Sequence, residues 1–286
     1  EAGGSLRRKA LKGFVPNSRG AREDIDECNS VLRQRSRMLY MSTPIATSAI
    51  NIQRTNVIGV GLQFKAKLDR EVLGIDKEQA RQWQNRTHRE FGLWADKKRA
   101  RDATGINALS SIAQLAFITW LLSGDCFVLL KHVNPTPLMP YSLRLHVIEA
   151  DRVRTPVDLG AKYPYVTIGQ AENGNKIYDG VEVDAGGAIV AYYVHNTYPD
   201  ERTTEQERYV RIEAYGRETG LPNVLHIMYS ERPEQYRGVP FLAPVIEQLG
   251  QLKQYSNAEL AAALLQSIFT AYIKTAKESD DGIPLE

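Results

Sequence analysis

The chain has 286 residues, of which 43% are apolar, 24% charged and 8% aromatic; this is a folded globular composition with room for one large core or two ordinary ones, and it excludes a disordered chain. Its 36 basic residues face 34 acidic ones, a formal charge of +2, which argues against tight, sequence-reading attachment to DNA and leaves room only for weak contact by charge. Cys28 and Cys126 stand far apart with no CxxC or zinc spacing, so both are expected as reduced thiols.

Residues 1–20 are rich in Gly, Arg and Lys and poor in apolar groups, which suits a mobile basic arm. The chain opens on Glu1 without an initiator Met and closes on Leu285-Glu286; the expectation is a piece cut from a longer protein, with the last two residues a cloning remnant. From Ala21 to about Met41 the pattern suits a polar helix, with Arg33, Arg35 and Arg37 spread around it as a solvated face. Thr43-Pro44 reads as an N-cap with Pro opening a second helix, which Gly59-Val60-Gly61 ends. Two glycines after a helix do not make a dinucleotide fingerprint. Asp76-Lys77-Glu78-Gln79 fits a capping box, and Ala80, Trp83, Phe91 and Trp94 share one face of the helix it opens, a predicted core face. The charge cluster at 96–102 is expected as a surface loop, and Lys97, Lys98, Arg99 and Arg101 are its candidates for weak phosphate contact.

An apolar helix over 111–122 is stopped by Ser123-Gly124, and Cys126-Phe127-Val128-Leu129-Leu130 follows as a buried strand. The run 112–122 carries Gln114 and Thr119 and falls short of the ~20 residues that cross a bilayer. Leu143, Leu145 and Val147 alternate with Arg144 and His146, the pattern of a half-exposed strand. Further strands are predicted near 165–168, 177–178, 181–183, 189–194, 209–212 and 224–229, with turns at Asn173-Gly174, Asp179-Gly180 and Asp184-Ala185-Gly186-Gly187. This half reads as an antiparallel sheet or small barrel rather than a βαβ repeat. A long helix over about 240–276 would reach ~54 Å, with an Ala-rich stretch at 258–263 and with Pro244 and Gly250 as points of bending. The predicted class is α+β: N-terminal helices, an antiparallel β-rich domain, and a long C-terminal helix.

No Walker A, HExxH, GxSxG or SxxK pattern occurs. His146, Glu149 and Asp151 have a spacing suggestive of a metal site, but on a strand His146 and Glu149 point to opposite faces. Glu149 or Asp151 holding a turn, or pairing with Arg152 or Arg154, is the structural account. His226 is expected as a satisfied core histidine, and His195 with Asp200 or Glu201 has no nucleophile nearby in sequence. No catalytic, cofactor or metal residue is assigned, and no membrane partner.

The stretch Arg232-Pro233-Glu234-Gln235-Tyr236-Arg237-Gly238-Val239-Pro240-Phe241-Leu242-Ala243-Pro244-Val245, followed by Asn257-Ala258-Glu259-Leu260-Ala261-Ala262, resembles the closing motif of the portal proteins of lambda-like tailed phages. Other stretches resemble the same family in the same order. They are Tyr40-Met41-Ser42-Thr43-Pro44-Ile45-Ala46 through Asn56-Val57-Ile58-Gly59-Val60-Gly61-Leu62, with Ser42-Thr43 in place of Asn-Asn; Phe91-Gly92-Leu93-Trp94; Gly124-Asp125-Cys126-Phe127, with Asp for Glu; Ile148-Glu149-Ala150-Asp151-Arg152-Val153; and Gly180-Val181-Glu182-Val183-Asp184 with Ala191-Tyr192.

The resemblance implies a structural subunit built as wing, stem, clip and crown, assembling side by side into a ring, usually twelvefold. It implies a conduit for double-stranded DNA at one capsid vertex, assembled in the bacterial host cytoplasm. Terminase would dock there during packaging, and tail or connector proteins later. Carried onto this chain beyond the 1–20 arm, it makes residues 21–238 a wing, 239–268 a stem helix and 269–286 the start of a clip. Arg232, Pro233, Gln235, Arg237, Gly238, Pro240 and Pro244 are then structural, Gly238 for an unusual backbone angle and Pro240 for the helix start. No catalytic residue or cofactor is implied. Two other classes stay open from the residues alone: a metal-dependent nucleic-acid-processing enzyme built on His146, Glu149 and Asp151, and a non-ring adaptor whose apolar helix binds a different chain.

Overall fold

The computed structural model describes residues 9, 12–13, 17–162, 166–202, 204 and 206–268. The predicted arm lies largely outside the described residues, and 269–286 wholly so. The chain divides into two units, Glu1–Ile246 and Glu247–Glu286. The class is α+β, as expected.

The first unit opens with α1 (Ala21–Ser42) and α2 (Pro44–Val57). Pro44 cannot extend α1, and it pushes Thr43 into the extended region, at φ −130 and ψ 108. Thr43 holds the N-cap position, yet its side chain makes no capping bond. After α2 the left-handed Gly59 turns the chain away. A short helix, α3 (Arg70–Leu73), precedes α4 (Lys77–Asp96), whose capping box from Asp76 and Gln79 is complete. The predicted core face of α4 is only half buried: Ala80 is buried and Phe91 stacks on Phe64, but Trp83 is 47% exposed. The groups that cover this face, the Phe64 ring and the Leu143 carbonyl bound by the Trp94 indole, reach its second half.

The predicted loop at 96–102 is instead a helical turn, α5 (Lys98–Arg101). Next comes α6 (Leu109–Ser123), apolar on all sides because it packs on α1 and α2 and on the strands that follow. Gly124, left-handed at φ 85, ends it. The chain then enters β1 (Asp125–His132), the centre of an antiparallel sheet with β2 (Leu143–Glu149) and β8 (Val224–Met228).

Both faces of β1 are covered. Cys126 and Val128 pack with Ala116 and Trp120 of α6. Phe127 and Leu129 pack with Ile148, Val153, Val181, Tyr192 and Val194. For this reason β2 is not half-exposed: Arg144, expected in solvent, is buried and donates to the Ala100 and Tyr141 carbonyls at 2.5 and 2.7 Å. The second sheet is an antiparallel meander of β3 (Ile168–Gln170), β4 (Lys176–Tyr178), β5 (Val181–Val183), β6 (Ile189–His195) and β7 (Tyr209–Glu213), turning at each predicted turn. Two open sheets, not a barrel, make up this half.

The second unit is described through α7 (Ile246–Ile268). This helix starts at Ile246 rather than at Pro240. An α-helix cannot run back through Pro244, which has no N–H and would clash with the carbonyl four residues earlier. Residues 243–245 form a 3-10 turn instead, and the Pro240 carbonyl accepts the Ala243 N–H at 2.9 Å. The predicted continuation over 269–276 lies outside the described residues. Among the described residues no helix is long and apolar enough to cross a membrane.

Candidate functional site

The segment 231–245 organises the first unit. Pro233 and Glu234 make its first turn, and Glu234 is left-handed at φ 58, an uncommon angle for a residue with a Cβ. Arg22 reaches across from α1 to hold Glu234 at 2.8 Å. The Gln235 side chain accepts the Glu231 and Arg232 N–H groups at 2.8 and 3.2 Å and donates to the Arg237 carbonyl at 2.9 Å, closing the loop on itself.

Arg237 then points inward and is wholly buried. Its guanidinium grips Asp125 with two bonds, at 2.6 and 3.2 Å, and donates to the carbonyls of Val153 (2.8 Å), Ala150 (2.9 Å) and Asp179. It also pairs with the Asp179 carboxylate at 2.8 Å. A planar, permanently charged fork suits this position, because it satisfies several fixed acceptors at once. One side chain therefore ties β1, the turn after β2 and the β4–β5 turn together.

Gly238 follows, and its role differs from the predicted one. Its φ is not left-handed; a Cβ here would stand 1.8 Å from the Gly124 carbonyl oxygen. Gly124 is equally constrained, since its own Cβ would stand 2.4 Å from the Gly238 carbonyl. The two chains cross glycine on glycine, and that approach brings the Gly238 N–H to Asp125 at 3.2 Å.

Arg33 corrects the reading of α1. Expected in solvent, it is 1% exposed and pairs with Asp179 at 2.9 Å and Asp151 at 3.8 Å. The Asp151 carboxylate also pairs with Arg37 of α1 rather than with the predicted Arg152 or Arg154, and Arg154 donates to the Asp151 backbone carbonyl at 3.2 Å. Burial alone would raise the Asp125 carboxyl, but Arg237 and Arg33, with bonds from His226 and Arg237, hold it well below the usual carboxylate range. His226 stacks on Phe127 at 4.2 Å with Nε2 3.4 Å from Asp125, and burial pushes its pKa down, so it is the satisfied core histidine expected. Asp26 is pushed up to about 7, first by burial and then by Asp179. The sequence signal for this cluster lies in α1: Asp26, Asn29, Ser30, Arg33 and Ser36 recur at helical spacing and are all buried.

The other candidates are scattered. Lys97, Lys98 and Arg99 are exposed. Arg101 is not: it is 0% exposed, with its guanidinium on the Trp94 and Asn107 carbonyls at 3.3 and 3.4 Å. His146, Glu149 and Asp151 do not converge, because Glu149 and Asp151 are both occupied by Arg37. His195 meets neither Asp200 nor Glu201; it lies between Glu207 (2.9 Å) and the Arg154 carbonyl (3.0 Å). In the second unit every described residue of α7 from Glu247 to Ile268 except Leu249, Gly250 and Lys253 is exposed, including Leu252, Tyr255, Leu260, Leu264, Leu265 and Ile268.

A family model described as phage portal protein, lambda family, matches residues 7–284. A probable portal protein of Halomonas phage phiHAP-1 is 27% identical over 240 residues, covering 82% of this chain and 41% of that protein. The portal protein of Escherichia phage N15 is 20% identical over 280 residues, covering 96% of this chain and 49% of that protein. The chain thus spans less than half the length of either relative. Among solved structures, a chain from the neck of an empty gene transfer agent particle, computed with C6 symmetry, aligns at a TM-score of 0.43 and 15% identity, over 90% of this chain and 52% of that one. A chain from the virion of a native gene transfer agent particle aligns at 0.41 and 15%, over 91% and 51%.

Proposed function

The chain belongs to the lambda family of phage portal proteins, and on that premise we propose that it supplies part of one subunit of a closed ring, the conduit for DNA at a single capsid vertex. The observation that carries the proposal is α7. A helix of 23 residues spans ~35 Å, and among the described residues its Leu252, Tyr255, Leu260, Leu264, Leu265 and Ile268 side chains are exposed. Exposed apolar area of this extent is normally covered by another surface, and identical rods standing around one axis cover one another. Residues 21–238 are then the wing and 239–268 the stem, with the 231–245 segment as the brace of the wing. Side-by-side contacts between identical subunits close such a ring, twelvefold in what the resemblance implies.

The role is passive rather than catalytic. Terminase and the tail or connector proteins dock on the ring, which is assembled in the host cytoplasm. DNA passes with contact by charge and not by sequence. Lys97, Lys98 and Arg99 carry the weak phosphate contact; Arg101, being buried, has no part in it.

Electron microscopy and size measurement of the parent protein test the reading. Rings are expected, and Leu260→Glu with Leu264→Glu is expected to shift them to monomers. A strict monomer under all conditions would overturn it. For the DNA contact, reversing Lys97, Lys98 and Arg99 to Glu should flatten the salt dependence of DNA retention by up to about 3 in log–log slope; an unchanged slope removes these residues from the DNA path.

A further inference from the structure

The docking of the first half of α1 rests on polar and charged groups, among them Asn29, which donates to the Gly238 carbonyl at 2.9 Å, rather than on apolar packing. The buried face of α1 offers Asp26, Asn29, Ser30, Arg33 and Ser36, and only Ala21 and Leu39 as buried apolar groups. Asn29 Oδ1, Ser30 Oγ, Arg33 Nε and Ser36 Oγ find no hydrogen-bond partner among the described residues. Leaving the body would return these groups to water and expose little apolar area.

The charges facing this helix do not balance. Asp26, Asp125, Asp151 and Asp179 are gathered around Arg33 and Arg237, all of them 6% exposed or less, with Arg37 joining at the rim. Three cations face four buried carboxylates. Asp125 has Arg237, Asp179 has Arg33 and Arg237, and Asp151 has Arg33 and Arg37. Among the described residues Asp26 has no ion-pair partner. The outer ties of the same half-helix are exposed and ionic: Arg22 to Glu234, and Asp24 to Arg232.

We propose that the first half of α1 is a releasable strap, closed over the cluster when Asp26 is neutral and loosened when it carries charge. The groups facing Asp26 are Asp179 from the β4–β5 turn, Asp125 from β1, Arg237 from the 231–245 segment and Arg33 on α1 itself. Burial, then Asp179, push Asp26 from 3.8 up to about 7. Asp125 is held far below this range, and His226 touches Asp125 rather than Asp26. A released strap returns Asp26 to its ordinary value. The closed form is therefore fully favoured below 3.8 and loses that advantage as pH rises to about 7, with no further loss above it. From about pH 5 to about pH 7.5 the opening constant should rise roughly 70-fold.

Hydrogen exchange of the chain, corrected for intrinsic rates, tests this at about pH 5 and about pH 7.5, following residues 21–34 against residues 189–195 of β6. Protection of 21–34 is expected to fall tens of fold while β6 holds, and Asp26→Asn is expected to make 21–34 insensitive to pH. Constant protection in the wild type overturns the proposal, as does an equal fall in Asp26→Asn. A parallel loss in β6 also overturns it, because the whole unit would then be opening. The carboxyl ¹³C titration of Asp26 in the wild type is a second measurement that needs no variant: a midpoint near 7 supports the strap, and one near the ordinary Asp value overturns it.

Discussion

Arg237→Met is the perturbation that most directly tests the brace. Methionine keeps the length and the packing of the stem but removes every donor. Asp125, wholly buried, would keep only the Gly238 N–H at 3.2 Å and His226 at 3.4 Å, and the carbonyls of Ala150, Val153 and Asp179 would lose a partner. Removing one member of a buried pair costs about 3–5 kcal/mol, mostly as the uncompensated charge left behind. For a body of this size that is a fall in Tm of roughly 6–20 °C. Urea unfolding followed by tryptophan fluorescence reads it, in a cycle with Asp125→Asn. The double variant should recover about 2 kcal/mol of the sum of the singles. The effect has a pH signature. Asp125 is depressed in the folded state, so its contribution is present above 3.8 and is lost as pH falls below it. The gap between wild type and Arg237→Met should accordingly narrow in acid. A single variant within about 1 kcal/mol of wild type, or strictly additive singles, would refute the reasoning.

Gly238→Ala, with its Cβ 1.8 Å from backbone, should cost more than about 3 kcal/mol, whereas Gly250→Ala in α7, with nothing within 4 Å, should stabilise that helix by about 1 kcal/mol; circular-dichroism melts giving both the same sign would contradict this. Glu182 is wholly buried beneath Arg211, Asn173 and Asn175; burial alone would raise it, but bonds from these three hold it at about 2. Its contribution is present above the ordinary 4.5 and lost as pH falls towards 2, so Glu182→Gln should cost about 2 kcal/mol at neutral pH, discounted for the partly exposed Arg211, and almost nothing at pH values near 2. A cost independent of pH in the unfolding curve would count against the pairing.

The turns of the second sheet and its strands β4 to β7 were legible in the residues, whereas β3 (Ile168–Gln170) begins where the predicted strand at 165–168 was to end. Asp179-Gly180 turns where predicted because both residues take positive φ, at 45 and 84, a demand that lies within the turn itself. The capping box at Asp76 and the stop at Gly124 were legible for the same reason. The start of α7 was misplaced because Pro240 and Pro244 are both tolerated in a first helical turn, and periodicity alone does not choose between them. The half-exposed reading of β2 failed because alternation reports one covered face, while α6 and the second sheet cover both.

By itself the sequence determined whatever is decided within one turn of chain: helix stops, caps, hairpins, and the class that follows from their order. The motif around Arg237 was visible there, and with it the family. Only the tertiary structure decided what the motif does, because its partner Asp125 lies 112 residues away. Likewise Arg33 and Arg101 look no different in sequence from solvated arginines. A charge is stable inside only where carboxylates or carbonyls converge on it, and that convergence is a property of the assembled fold.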